Sequence, residues 1–180
     1  MQEANQKKDP MILDVAAPEG VTLRYTVPED SEYLKSWLLH PSVKNAFPMF
    51  NEMEVDDAVR RWISFFRLKA GLTVEKGGRP IGNATLYIQS YHRLKHQAEF
   101  GIILDENHRH KGVGSFLLSS LLKLAKLQFH IELIHLQVYQ DNPAIQLYKK
   151  FGFVDYGFQG KWIKEESGKY VGRVFMERDL

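Results

Sequence analysis

The chain has 180 residues, 44% of them hydrophobic and 26% charged, with 24 Lys plus Arg against 22 Asp plus Glu. That length suits one domain around one core, and a formal net charge of +2 is too balanced to hold nucleic acid or a membrane surface by bulk charge. The absence of cysteine excludes disulfides, thiol nucleophiles and cysteine–zinc sites, and it suits a cytoplasmic protein.

No apolar run reaches bilayer-spanning length. The opening MQEANQKKDPMILD is polar and lacks the apolar core of a signal peptide. Residues 1–20 are therefore expected to be a flexible extension ahead of a single domain over 21–180. VTLRYTV (Val21 to Val27) alternates like a strand. A helix is expected from Pro28 to His40, with Tyr33, Leu34, Trp37 and Leu38 on one face and Pro41 as its stop. A second is expected over Val55 to Gly71, with Val59, Trp62, Ile63 and Phe66 inward and Gly71 ending it. LTVEKGGRPIGNATLYI reads as a hairpin turning at Gly77 and Gly78, and AEFGIIL (Ala98 to Leu104) as the next strand.

Val113, Phe116, Leu117, Leu121, Leu124 and Ala125 follow helical spacing. IELIHLQV (Ile131 to Val138) reads as a strand. NPAIQLYKKFG reads as a short helix, with Pro143 in its first turn and Gly152 at its C-cap. FVDYGFQ and KYVGRVFMERD are expected to close the sheet around a KEESGK turn. This order implies a mixed sheet with helices on its faces, an α/β (α+β) domain of three layers.

LDENHRHKGVGSF sets Arg109 and Lys111 before Gly112 and Gly114 at a helix start. The first N–H groups of a helix have no intrahelical acceptor, and the macrodipole adds partial positive charge there. Glycines let an anion approach the backbone without a Cβ in the way. The stretch thus describes a phosphate cradle. A P-loop needs Lys-Ser/Thr after its last glycine, and the dinucleotide fingerprint needs a glycine where Leu117 stands. A plain solvated loop is the other reading.

RHKGVG fits Arg/Gln-x-x-Gly-x-Gly/Ala between a strand and a helix, and VYQDNPAIQLYKKFGF follows further along with its Asn/Asp-x-x-Ala, Leu-Tyr and Gly-Phe. Together these motifs resemble the core of the GNAT N-acetyltransferase superfamily, in the subgroup of ribosomal-protein N-terminal, spermidine and amino-acid acetyltransferases. The resemblance implies a GNAT fold: a central mixed, largely antiparallel sheet of about seven strands, flanked by helices on both faces. It implies acetyl-CoA as cosubstrate, with its pyrophosphate on Arg109, His110, Lys111, Gly112, Val113, Gly114 and Ser115. The pantetheine arm is expected along the backbone of Ile102, Ile103 and Leu104.

Tyr148 matches the family tyrosine near the sulfur, where a phenol can protonate the leaving thiolate; packing of an amphipathic ring is the alternative. The family places an Asn where Asp141 stands here, with Asn142 one residue later. Either serves the cofactor, or Asp141 is the N-cap of the following helix. Some members carry a catalytic Glu near Gln137, which cannot accept a proton. Glu99 is the remaining carboxylate near the reaction centre, as general base or as a cross-strand charge. The seven histidines show no ligand pattern such as His-Glu-x-x-His, so no metal is expected.

The resemblance implies direct acetyl transfer to a primary amine, of a small molecule (amino acid, polyamine or aminoglycoside-like) or of a protein N-terminus. A non-catalytic CoA-binding regulatory module is the rival from another class. Acceptor specificity is expected in the loops Leu39 to Glu54 and Ser90 to Gln97. No nucleic acid or membrane partner is expected, and a homodimer is compatible with the sequence.

Overall fold

The computed structural model describes residues 11–43 and 46–180. Its strands are β1 (Val21–Tyr25), β2 (Gly71–Lys76), β3 (Arg79–Ile88), β4 (Gln97–Leu104), β5 (Leu133–Tyr139), β6 (Val154–Lys164) and β7 (Tyr170–Asp179). Its helices are α1 (Asp30–Leu38), α2 (Glu52–Ser64), α3 (Val113–Phe129) and α4 (Ala144–Lys150). One sheet runs in the order β1-β2-β3-β4-β5-β7-β6, with β4–β5 parallel and the other pairs antiparallel.

Each face of the sheet buries its own core. On one face Ala84, Leu86, Ala98, Phe100, Ile134 and Leu136 meet Leu117, Leu118, Leu121 and Leu122 of α3 and Tyr148 of α4. On the other, Leu34, Trp37 and Leu38 of α1 and Val55, Val59, Trp62 and Ile63 of α2 pack with Ile103. Because successive strand residues point to opposite faces, β3 and β4 are covered on both. Gly77 and Gly78, at φ of 59° and 76°, make the β2–β3 turn that needs left-handed residues.

Two element boundaries differ from the sequence reading. The second helix begins earlier, at Glu52, because Asn51 accepts the Glu54 N–H at 2.9 Å and the Glu54 carboxylate accepts the Phe50 N–H at 2.7 Å, a reciprocal capping box. It ends earlier too, in a 3₁₀ turn over Phe65–Leu68 closed by Lys69 at φ 54°. Gly71 is not its cap but the first residue of β2, where a Cβ would lie 2.7 Å from Thr26 Oγ1.

Residues 11–20, expected to be flexible, are anchored. The Ser119 hydroxyl donates to the Leu13 carbonyl at 2.7 Å, and Ile12 and Val15 pack against the core under α3. Arg178 donates to the carbonyls of Met11, Phe151 and Asp179. Residues 1–10 lie outside the described residues.

A buried polar chain joins the first strand to α2. Asp30 accepts from both Nη atoms of Arg24 at 2.7 and 2.8 Å, from the Val27 N–H and from the Thr73 hydroxyl. Asn83 donates to Thr26 and Thr73, and its carbonyl oxygen accepts Trp62 Nε1–H at 2.7 Å. Burial opposes ionisation of Asp30, but the hydrogen bonds from Arg24, Val27 and Thr73 outweigh it and hold the carboxyl below its ordinary value. A carboxyl depressed in the native state stabilises it above the unfolded pKa, and that contribution is lost as pH falls through the native one. Asp30→Ala leaves Arg24 with Glu75 alone and removes the acceptor of the Val27 N–H and the buried Thr73 hydroxyl, and is expected to cost about 1–3 kcal/mol at neutral pH. Urea denaturation should show the gap between the two proteins intact above about pH 4 and narrowing in more acidic buffer.

Candidate active site

The central cleft exists because β4 and β5 part company. They pair at Gln97, Ala98 and Glu99 against Leu133, Ile134 and His135. Beyond that point β4 continues to Leu104 and β5 to Tyr139 without further pairing. The opening is a cleft of about 880 Å³ lined by Phe100 to Leu104 on one side and Leu136 to Tyr139 on the other. The turn before α3 closes one end of it, and α4 provides part of its wall.

At the turn, Arg109, His110, Gly112, Gly114 and Ser115 line the cleft. His110 and Gly112 have φ of 59° and 80°, and Gly112 is the N-cap of α3. A Cβ on Gly114 would stand 3.3 Å from Leu104 Cδ1, so the glycine keeps the first turn close to β4. Arg109 donates to the Leu104 carbonyl at 3.3–3.4 Å. Two residues of the expected cradle turn their side chains away from the cleft: Lys111 donates to the Asn107 carbonyl at 2.7 Å, and Val113, the first residue of α3, buries its side chain in the core.

Ile102, Ile103 and Leu104 line the cleft as expected, as do Asp141 and Asn142. The capping role belongs to Asn142, whose side-chain oxygen accepts the Ala144 N–H at 2.9 Å. Asp141 leaves its carboxylate toward the cleft mouth, with a 3.4 Å contact to Gln140.

Tyr148 lines the cleft from α4, its ring held edge-on by Phe100 and Phe153, each at 5.8–5.9 Å from its neighbours in the cluster. Burial pushes its phenol well above the ordinary value, so it holds its proton at neutral pH. Glu99 stands on the opposite face of the sheet, at the vertex where pairing stops. It is half-buried, and burial raises its carboxyl, resisted by the charge of Arg173 and the nearby amide of Gln137. Tyr87 lies beside it and is raised by burial and by the Glu99 charge.

Several lining residues were not singled out in the sequence. Ser42, Val43, Ala46 and Phe47 lie in the expected specificity loop after α1, whereas no residue of Ser90 to Gln97 lines the cleft. Glu165, Lys169 and Val171 line it instead, from the turn between β6 and β7. The Tyr139 hydroxyl donates to the Phe47 carbonyl at 3.2 Å, and Trp162 stacks edge-on to Tyr139 at 4.9 Å. No local motif marks these residues, because distant segments converge only in the fold. Among the described residues no group of His, Asp or Glu could hold a metal ion, and no helix is long and apolar enough to cross a membrane.

Comparison with known proteins fits this architecture. Residues 34–153 match the Acetyltransferase (GNAT) family. The L-amino acid N-acetyltransferase AaaT of Escherichia coli (strain K12) is 35% identical over 102 residues, 56% of this chain and 62% of that protein. The chain thus matches less than two thirds of that relative's length. The structure of yncA from Salmonella typhimurium with its cofactor acetyl-CoA superposes with a TM-score of 0.77 at 20% identity, over 90% of this chain and 95% of that one. The ribosomal-protein-alanine N-acetyltransferase from Brucella melitensis gives 0.74 at 22% identity, over 88% and 98%. The chain belongs to the GNAT acetyltransferase family and has its fold.

Gly101 ties the fold to the cleft. A Cβ there would meet the Trp62 ring at 2.7–2.8 Å and the Tyr87 hydroxyl at 2.9 Å. The Trp62 ring cannot swing aside cheaply, since its N–H is held by Asn83. Gly101→Ala is expected to destabilise the protein by about 1–3 kcal/mol, read as a lower urea midpoint with an unchanged m-value.

Proposed function

We propose that the protein is an acetyl-CoA-dependent N-acetyltransferase that moves an acetyl group directly to the primary amine of a small molecule. The observation that carries this reading is the splay of β4 from β5, which leaves one edge of β4 unpaired between the glycine turn and Tyr148. The residues fit acetyl-CoA. The first turn of α3 offers backbone N–H groups beside glycines to the pyrophosphate. Arg109 adds charge, and the free edge of Gly101 to Leu104 can pair with the amide-bearing pantetheine arm as a strand would. When bound there, acetyl-CoA supplies an activated acetyl group whose C–S bond is exchanged for a C–N bond to the amine; an ammonium acceptor sheds two protons, one before the neutral amine attacks and one after, of which the sulfur gains one and solvent the other.

The chain's own residues divide those protons. Tyr148, protonated at neutral pH and facing the cleft, is the donor to the departing sulfur. Glu99, on the far face and raised toward a useful base, draws the ammonium in and takes its proton directly or through one water. A small acceptor is supported by the Tyr139–Phe47 bond, which narrows the cleft, and by the name of the Escherichia coli relative.

Acetyl-CoA should raise the thermal midpoint of both the unaltered protein and Tyr148→Phe, since a ligand binding only the native state adds about 2.7 kcal/mol at a hundredfold excess over Kd. Tyr148→Phe should lower kcat by roughly 10²–10⁴-fold; equal turnover at saturation would assign Tyr148 to packing.

Glu99→Gln separates the two roles of the carboxylate. As the base, its loss should depress kcat most near neutral pH, with partial recovery in alkaline buffer as free amine becomes available. If it only attracts the amine, KM rises and kcat stays. The groups around Glu99 that bear on the profile are Arg173 on β7, Gln137 on β5, Tyr87 on β3 and Tyr156 on β6, together with His135, its register partner on β5, and Glu177 opposite His135 on β7.

A further inference from the structure

Arg173 on β7 differs from the cations that are paired with carboxylates. Arg24 is bound to Asp30 and Glu75, and Lys35 to Glu52 and Asp56. The guanidinium of Arg173 instead sits between two rings, its Cζ 4.9 Å from the centre of Trp162 and 4.5 Å from that of Phe175. Its two hydrogen bonds go to neutral amides: Nε donates to Gln159 Oε1 at 3.0 Å and Nη1 to Gln137 Oε1. A guanidinium has five N–H donors, so three remain after those two bonds. The group is oriented on three strands, is partly exposed, and among the described residues has no carboxylate within ion-pair distance.

Its position gives that orientation a use. Gln137, which accepts from Arg173, lines the cleft, and the charge of Arg173 is felt by Glu99. A negative group, a neutral amide and a positive group therefore follow one another across β4, β5 and β7 on the acceptor face. The Glu99 carboxylate suits an ammonium. One step away, the free fork of Arg173 suits a planar anion, which a guanidinium binds bidentately. A polyamine would bring a second cation against Arg173.

We propose that Arg173 determines acceptor specificity by clamping a carboxylate carried close to the reacting amine, so that the acceptor is an amino acid bound as its zwitterion. This rests on the acetyltransferase reading and narrows its acceptor. Gln137 is the positioning residue: it holds the guanidinium and spaces it from Glu99.

The test measures CoA release with the proteinogenic L-amino acids, their carboxamides and spermidine, alongside acetyl-CoA thermal shifts. For the amino acids that are turned over, the free acid should exceed its amide in kcat/KM by about 10–100-fold, the worth of charge-assisted hydrogen bonds. Arg173→Met should collapse that ratio to near one, chiefly through KM of the acid, and Arg173→Lys should restore part of it. Acetyl-CoA should still stabilise both variants, which establishes that they fold. Amides or spermidine equalling or exceeding the acids, no acid being turned over, or an acid-to-amide ratio that survives in Arg173→Met overturns the proposal and leaves acetyl transfer standing. Failure of acetyl-CoA to stabilise the unaltered protein, with no amine acetylated, overturns the acetyltransferase reading and the proposal with it.

Discussion

The cleft depends on a pairing that stops. β4 and β5 are the parallel pair of the sheet, and they stay together for three residues before separating. Two buried strands that part in a sheet's middle leave unpaired N–H and C=O groups, which are costly unless something meets them. The separation survives because each strand is held by its other neighbour, β4 by β3 over seven residue pairs and β5 by β7 over seven. Both flanking helical layers also grip β4, through Phe100 on one face and Ile103 on the other. The gap is thus a consequence of rigidity around it, and its free edges are what an amide-bearing ligand can use.

The two faces of the sheet also differ chemically near the parting. On the α3–α4 face, aromatic rings surround Tyr148, and burial keeps its proton on. On the α1–α2 face, burial raises the Glu99 carboxyl against the opposing charge of Arg173. The acid and base roles proposed for these two groups each draw on the environment of one face, and environments that push titratable groups apart are how one site runs both chemistries at one pH.

The succession of strands and helices along the chain and the glycine turn were legible in the sequence because each rests on a local signal: alternation in AEFGIIL, helical spacing from Val113 to Ala125, glycines at 77, 78 and 112; the order of strands in the sheet was not. Boundaries were less legible. Gly71 looked like a helix stop, but its reason is Thr26, distant in sequence. The Asn51–Glu54 capping box was present as Asn-x-x-Glu and was passed over for the apolar run that follows it. At the site, the sequence marked the residues that belong to motifs and missed those that arrive by convergence. Phe47, Tyr139 and Trp162 meet only when the segment after α1, the end of β5 and the β6–β7 hairpin are brought together. Arg173 has no distinguishing neighbour in the chain; its character comes from Trp162, Phe175, Gln137 and Gln159 around it.

Arg178 connects the first described residues to the helix that carries Tyr148. Its buried guanidinium donates at once to the Met11 carbonyl and to that of Phe151, at the C-terminal end of α4. A cation at that end also suits the helix dipole, and α4 is the helix that carries Tyr148. Residues 11–15 and α4 therefore share one anchor: neither can peel away without stripping a buried cation of an acceptor. In terms of local opening, the beginning of the chain and the helix beneath the cleft behave as one cooperative unit, although more than a hundred residues separate them along the backbone.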